Sequence, residues 1–280
     1  MRKVEIGGQT IEDVAAIVVP TQNAPLLLGQ TVIQRLGKVS IDGDYLVIHN
    51  ANIYTEDEIA AIYEKAEDLL ENKVYSEALK YYRIVYDFWG EEVDPWVLYS
   101  MGVCYHNLKD RNSAEKCHLK AIELDNGKNE DGILYEVNSK LAAISSLDGD
   151  HNKSLEYSML MQKYAASTSE RANAFNSIGS EYSYLNKYSD AISYSDKAIN
   201  TYRQLLRKRK LDSYEAMTYI LSFIIKGSSL EDSRRYDEAI ETYSNGKKAL
   251  ESFKNENFYN DDMDVFNNGL SRCYTKLANH

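Results

Sequence analysis

From about residue 59 onward, hydrophobic and polar positions alternate with a helical period. Two stretches, 97–125 and 173–200, align directly, and each has a Gly (Gly102 or Gly179) followed twelve residues later by an Ala. Apolar and Tyr residues recur every three or four positions around these fixed sites, with the polar segments "LKDRNS" and "LNKYSD" in the middle. This spacing predicts that each copy is two amphipathic helices joined by a short turn.

Three further copies share the pattern. One begins near Gly227 and another spans 59–88, while a degenerate copy spans 133–165 and has Ser154 where the others have Ala. We expect this degenerate copy to carry one extra residue near Gly149. A single helix pair cannot bury its apolar face alone, so the copies are expected to stack on one another.

The predicted fold is therefore mainly α: an α-α superhelix of about five helix pairs, preceded by a small β-element. The final segment, "DDMDVFNNGLSRCYTKLANH", predicts a closing helix. The recurring small residue, Tyr and Ala resemble the tetratricopeptide repeat over about residues 59–250. Repeats of that family are about 34 residues long, so the wider spacing around "RQLLRKRKLDS" indicates longer helices or turns there. Capping-box sequences at Thr55–Glu58 and Ser167–Glu170 mark two helix starts.

The first fifty residues have a different pattern. Alternation in "VEI", "VAAIVV", "KVSI" and "YLVI" predicts four short strands, with "GQTVIQRL" as a helix between the second and third. This order, with Leu27-Leu28-Gly29 before the helix, resembles the C-terminal half of a retropepsin-like aspartic protease domain over roughly residues 3–48. The alternative is an unrelated β-segment that caps the first repeat. The predicted organisation is a β-element over 1–50, a linker over 51–58 and the superhelix over 59–280.

The catalytic Asp-Thr/Ser-Gly of that protease family occurs nowhere in the chain. Aspartic proteolysis needs two carboxylates that share a proton, so we expect the chain as given not to be an enzyme. No phosphate-binding Gly-rich loop, GxSxG or HExxH motif is present, and five His and three Cys are scattered without ligand spacing. No cofactor and no metal are expected.

The composition limits the classes of partner that we expect the protein to bind. A net charge of −11 argues against general affinity for nucleic acids or anionic membranes, and no apolar run approaches the roughly 20 residues of a membrane helix. Tyr is abundant, with 23 copies against 6 Phe, which suits thin packing layers and binding faces. The compartment stays open: the sparse cysteines favour the cytoplasm slightly, and a missing upstream signal would place the protein in the cell envelope or outside the cell.

The family resemblance implies a candidate site. In tetratricopeptide repeats the first helix of each pair lines a concave groove, and Asn amides in such a groove can bond a peptide backbone while Trp and Tyr anchor it. Asn138 and Asn176 are expected at the same site of neighbouring repeats. The alternative is a solvated concave face whose aromatic residues pack between repeats. Carried over by register, the groove residues are Tyr63, Trp96, Tyr99, His106, Tyr135, Asn138, Asn173, Asn176 and Ser180.

The sequence thus predicts a non-catalytic scaffold that binds a protein or an extended peptide in its groove. The alternative function is the C-terminal part of a retropepsin-like protease whose repeats recruit substrate, with the catalytic Asp upstream of this chain. Because strand edges at the front would be bare, a homodimer through the β-element is a further prediction.

Overall fold

The computed structural model describes residues 4–6, 9–11, 39–42, 45–48, 54–129 and 132–279. The chain divides into two compact units, Met1–Ala60 and Ala61–His280. The predicted strand "VAAIVV", the predicted helix "GQTVIQRL" and the Leu27-Leu28-Gly29 run lie outside the described residues.

The first unit contains two antiparallel strand pairs. Strands β1 (Val4–Ile6) and β2 (Gln9–Ile11) form one pair, and β3 (Val39–Asp42) and β4 (Tyr45–Ile48) form the other. In the second pair Asp42 lies opposite Tyr45.

Helices account for the rest of the described chain, and all but the start of the first belong to the second unit. A one-turn 3-10 helix lies at Gly90–Glu92 and another at Glu251–Phe253. In chain order the α-helices are α1 (Glu56–Glu71), α2 (Tyr75–Trp89), α3 (Pro95–Asn107), α4 (Arg111–Asp125), α5 (Ile133–Leu147), α6 (His151–Tyr164), α7 (Thr168–Tyr184), α8 (Tyr188–Leu206), α9 (Ser213–Asp232), α10 (Tyr236–Leu250) and α11 (Tyr259–Ala278).

The sequence signals for helix starts are confirmed where the structure describes them. Both predicted capping boxes form, with Glu58 bonding back to Thr55 and Glu170 to Ser167. The predicted lengthening is also confirmed, since α8 has 19 residues and α9 has 20 against 13 to 17 in α1 to α7.

Every helix pair is closed by the same turn. Three residues separate the two helices, and the middle one has a left-handed backbone; these middle residues are Lys73, Lys109, Gly149, Asn186 and Arg234. The residue after each of them donates its N–H to a carbonyl five residues earlier, at 2.8 to 2.9 Å. This helix-ending bond satisfies a carbonyl that the helix leaves free.

The extra residue expected near Gly149 is therefore wrong. Gly149 occupies the left-handed position (φ 80°) that Lys, Asn or Arg occupies in the other turns, and the connection there has no additional residue. Gly adopts this conformation without steric cost, and the turn at Gly149 has the same three-residue length as the other four turns.

Close helix approach is achieved by small residues packed against rings. The ring of Tyr243 in α10 is fully buried between Gly227 of α9 and Gly269 of α11, where an added Cβ would come within 2.3 and 2.6 Å of ring carbons. The closing helix α11 thus packs on the last pair through Gly269, which contacts the same Tyr243 ring that Gly227 contacts within the pair. It also buries the Phe266 ring against Gly246 of α10.

The first helices of successive pairs also touch one another. Besides packing on its own partner, α3 contacts α5, and α7 contacts α9. These contacts bring first helices of neighbouring pairs side by side, α3 with α5 and α7 with α9.

Candidate functional site: the first-helix face

The repeated turns fix which side chains share this face. Positions thirteen, ten, six and three residues before the middle turn residue fall on one side of a helix. We call this surface the first-helix face. It comprises Tyr63, Glu67 and Leu70; Trp96, Tyr99, Val103 and His106; Glu136, Ser139, Ala143 and Ser146; Asn173, Asn176, Ser180 and Ser183; and Leu221, Ile224, Ser228 and Glu231. Most of these residues are half-buried; Asn176 is buried, and Ala143 and Leu221 are exposed.

Seven of the nine predicted groove residues lie on this face, and Tyr135 and Asn138 do not. The one-residue shift at Gly149 moves the third repeat's register to Glu136 and Ser139. Consistently, Tyr135 is 6% exposed and Asn138 is 1% exposed, whereas Glu136 and Ser139 are half-buried.

Asn138 lies at a site where the neighbouring repeat has Leu98, which is also buried. Its amide nitrogen donates to the Leu134 carbonyl at 2.6 Å, within its own helix. Its side-chain oxygen is buried and has no hydrogen-bond partner among the described residues. Asn138 is thus a polar residue in an apolar packing position, and it does not occupy the same site as Asn176.

Asn173 and Asn176 bind neighbouring helices. The Asn173 side-chain oxygen accepts from the Tyr202 hydroxyl and, at 3.3 Å, from the Thr218 hydroxyl. The Asn176 oxygen, in a side chain only 5% exposed, accepts from the Ser222 hydroxyl at 3.3 Å. These side chains join α7 to α8 and α9. Asn173 is partly accessible, and Asn176 is buried.

The aromatic end of the face is held by edge contacts and a carboxylate. The Trp96 and Tyr99 rings meet edge to face, with centroids 5.2 Å apart. The Tyr99 hydroxyl donates to Glu136 of the next repeat at 3.4 Å, and Lys140 Nζ lies 6.0 Å from the Tyr99 ring centroid. Burial, and then the negative charge of Glu136, raise the pKa of Tyr99.

A second carboxylate lies at the first repeat. The Tyr82 hydroxyl donates to Glu67 Oε1, and Ser100 of the next pair donates to the same oxygen at 3.4 Å. Burial, with Glu67 and Asp94 nearby, raises the pKa of Tyr63 to about 12. Glu67 therefore joins two repeats through the Tyr82 and Ser100 hydroxyls.

The other end of the face is apolar. Tyr214 and Met217 extend the stripe along the longer helix α9, followed by Leu221, and they are 58%, 38% and 38% exposed. Ile224 is half-buried against the core. Tyr214 and Met217 were not among the groove residues predicted from the sequence, because the repeat register did not allow for the extra turn of α9.

Sequence reasoning also missed an ion pair beside this face. Arg209 clamps Glu215 with two bonds of 2.5 and 2.6 Å, and Ser169 of α7 donates to Glu215 at 2.6 Å. These bonds hold the pKa of the buried Glu215 at about 2. The basic run 207–210 thus contributes one residue to a structural ion pair, a role that its composition did not reveal.

A cavity of about 340 Å³ opens beside Trp96, at the edge of the first-helix face. Its charged lining is mostly acidic: Glu91, Glu92, Asp94 and Asp125, with Lys128 as a cation.

His106, further along α3, is half-buried, and burial followed by the charge of Lys140 lowers its pKa. Ser180 is half-buried on α7.

The part of the chain that the structure describes offers little for metal or thiol chemistry. No group of three His, Cys, Asp or Glu there could hold a metal ion, and none of the helices there has the length and hydropathy needed to cross a bilayer. The three cysteines are free thiols, with Cys104 and Cys273 buried; burial raises the pKa of Cys104 to about 12, which disfavours the reactive thiolate.

Comparison with known proteins agrees with this architecture. A family model described as tetratricopeptide repeat matches residues 97–128 and 172–205. No curated protein matches the chain.

Several solved structures are similar in fold at low sequence identity. MamA from Desulfovibrio magneticus RS-1 is 17% identical, with 72% of this chain and 99% of that chain covered and a TM-score of 0.58. RapI in its apo form is 13% identical, with 79% and 84% covered and a TM-score of 0.63. A putative kinesin light chain of Podosopora anserina with nearly identical repeats is 11% identical, with 72% and 100% covered and a TM-score of 0.56.

These likenesses give no support to the retropepsin-like resemblance of residues 3–48 or to the protease alternative. The matched repeats, the repeated three-residue turns and the shared fold lead to one conclusion: residues 97–128 and 172–205 match the tetratricopeptide repeat, and the helical unit has a tetratricopeptide-repeat-like solenoid fold.

Proposed function

We propose that the helical unit is a non-catalytic scaffold that binds a protein or an extended peptide along the first-helix face. The observation that carries this proposal is the first-helix face itself, which has aromatic and apolar side chains at its two ends. Trp96 and Tyr99 of α3 are half-buried at one end, and Tyr214, Met217 and Leu221 of α9 are exposed at the other. Exposed apolar side chains bordered by polar ones are typical of interaction surfaces.

The polar residues between these ends suit an extended chain. Ser139, Asn173 and Ser180 are half-buried and lie on three turns of two neighbouring first helices. Hydroxyl and amide groups both donate and accept hydrogen bonds, so they can meet the backbone of a peptide whatever its sequence. In this proposal Asn138 and Asn176 lie inside the packed repeats and do not contact the ligand.

A peptide-display selection against the full chain, followed by affinity measurements on the selected peptides, tests the proposal. Trp96→Ala and Tyr214→Ala are each expected to weaken binding by about tenfold, as for aromatic anchors. Tyr274→Ala is the matched control, because Tyr274 in α11 is 58% exposed, as is Tyr214. Equal effects of Tyr214→Ala and Tyr274→Ala would place the binding surface elsewhere.

Asn138→Leu separates the structural role of Asn138 from a role in binding. Because Leu occupies the equivalent site in the preceding repeat, the change should stabilise the fold by about 1 kcal/mol by removing a buried unpaired oxygen. Peptide affinity should not change. A loss of affinity in a variant that is still folded would return Asn138 to the binding site.

The homodimer through residues 1–50 and the division into a β-element, a linker over 51–58 and a superhelix over 59–280 stay predictions. Light scattering of the full chain and of a chain beginning at Tyr54 compares their masses. A dimeric mass for the full chain alone would support the dimer, and equal masses would reject it.

A further inference from the structure

The charges on the first-helix face have one sign. Its residues include three carboxylates, Glu67, Glu136 and Glu231, and no Lys or Arg. Glu231 is engaged by Arg272 of α11 at 2.7 and 2.8 Å, and Glu67 accepts from the Tyr82 hydroxyl.

Glu136 differs from the other two. Among the described residues it makes no ion pair, and the Tyr99 hydroxyl donates to it only at 3.4 Å. Its negative charge also acts on the Tyr135 hydroxyl, whose pKa is raised by burial and, to a smaller extent, by Glu136, against a hydrogen bond with Asn173 that lowers it. Glu136 is thus a half-exposed carboxylate among aromatic rings without a cation of its own.

Such surroundings favour an alkylammonium or a guanidinium group. A carboxylate supplies the opposite charge, and the face of a Tyr or Trp ring attracts a cation within about 6 Å of its centre. Lys140 shows this attraction within the chain, since its Nζ lies 6.0 Å from the Tyr99 ring centroid. Lys140 is therefore the chain's own competitor for a guest cation at this position.

The cavity beside Trp96 carries charge of the same sign. It holds four carboxylates and one Lys in its lining, and Trp96 itself forms part of the wall. Trp96 also meets Tyr99 edge to face. An acidic cavity and the Glu136 carboxylate therefore lie close to one aromatic pair, which makes the aromatic end of the face suited to a ligand with more than one positive charge.

We propose that the occupant of the first-helix face is a basic extended segment of a partner protein, with one Lys or Arg side chain received by Glu136 beside Tyr99 and another by the acidic cavity beside Trp96. This inference rests on the proposed function and specifies its ligand. Charge complementarity of this kind speeds association and rejects acidic segments, and the net charge of −11 acts in the same direction.

Intrinsic fluorescence provides the test, because the chain has only two Trp residues. In the full chain with Trp89→Phe, Trp96 is the only Trp and reports directly on the site. The probes are three synthetic peptides of equal length, in which Ser alternates with Lys, with Gln or with Glu. The Lys peptide is expected to change Trp96 fluorescence at the lowest concentration, and its affinity should fall as salt screens the charges.

Charge variants test whether binding of the Lys peptide depends on Glu136. Glu136→Gln should weaken the Lys peptide by about tenfold, the range measured for close charge pairs at interfaces. Glu156→Gln is the matched control, since Glu156 is exposed on the second helix α6 of the same repeat and the change in net charge is identical. Lys140→Gln should strengthen binding by removing the internal competitor.

The outcomes separate this inference from the proposed function. Tight binding of the Gln or Glu peptide that depends on Trp96 would keep the scaffold and reject the basic ligand. Equal losses in Glu136→Gln and Glu156→Gln would show that only net charge matters, which overturns the site. A failure of all three peptides, together with a failed display selection, would reject the proposed function itself.

Discussion

A single buried histidine makes the stability of the helical unit depend on pH. His118 in α4 is 0% exposed, and its ring lies against Gly102, where an added Cβ would come within 2.4 Å of Cε1. Neither ring nitrogen has a hydrogen-bond partner among the described residues. Burial, followed by the positive charges of Lys140 and His106, lowers the pKa of His118 to about 3.

The direction of the pH dependence follows from the linkage between proton binding and folding. The unfolded chain has a His pKa of about 6.5, so between that value and about 3 the unfolded state binds a proton that the folded state does not. Stability is therefore retained above pH 6.5 and falls as the pH drops below it. Between pH 7 and pH 5 the loss from this group is about 2 kcal/mol, which corresponds to a melting temperature lower by roughly 4–8 °C for a unit of this size.

Thermal unfolding followed by circular dichroism at both pH values measures the effect. His118→Phe removes the titrating group and should reduce the pH dependence by about 2 kcal/mol, whatever its effect at pH 7. His106→Gln is the control, because His106 is only half-buried and a smaller change is expected. An unchanged difference between pH 7 and pH 5 in His118→Phe would refute the reasoning.

Two further predictions concern packing and charge. Gly227→Ala places a methyl group 2.3 Å from the Tyr243 ring and should destabilise the fold by about 1–3 kcal/mol; Gly179→Ala, where the nearest atom is 3.2 Å away, should cost much less in the same denaturant titration. Arg209→Gln should cost roughly 1–2 kcal/mol at neutral pH because it leaves the buried Glu215 carboxylate without its cation. This deficit should shrink in acid as Glu215 becomes protonated in the folded variant, which lacks the cation that holds the Glu215 pKa at about 2 in the folded protein. A deficit independent of pH would contradict the charge argument.

Local patterns in the sequence were enough to predict the helices and their pairing. The small residues at Gly102, Gly179 and Gly227 do pack closely against the second helix of their own pair, as their spacing indicated. Helix periodicity, caps and turns depend on residues a few positions apart, so one sequence contains that information. The same reasoning gave the longer helices near residue 206 and the closing helix.

The candidate site was less predictable because its register depends on one turn. An error of a single residue at Gly149 rotates a helix by about 100°, and this moved the site from Glu136 and Ser139 to the buried Tyr135 and Asn138. The left-handed residue in each of the other four turns shows that the turn at Gly149 has three residues. That backbone conformation is seen only in the structure, because Lys, Asn, Arg and Gly all adopt it here.

The sequence by itself determined the repeat, the number of helix pairs, the fixed Gly and Ala contacts and the acidic charge, since all of these follow from composition or short-range spacing. Only the tertiary structure decided that Asn176 is enclosed, that His118 is buried without a partner and that Glu136 stands free of ion pairs among the described residues. These properties depend on helices up to 46 residues apart in sequence, as in the bond between Asn176 and Ser222. The electrostatics of a binding face are set by how such helices approach one another.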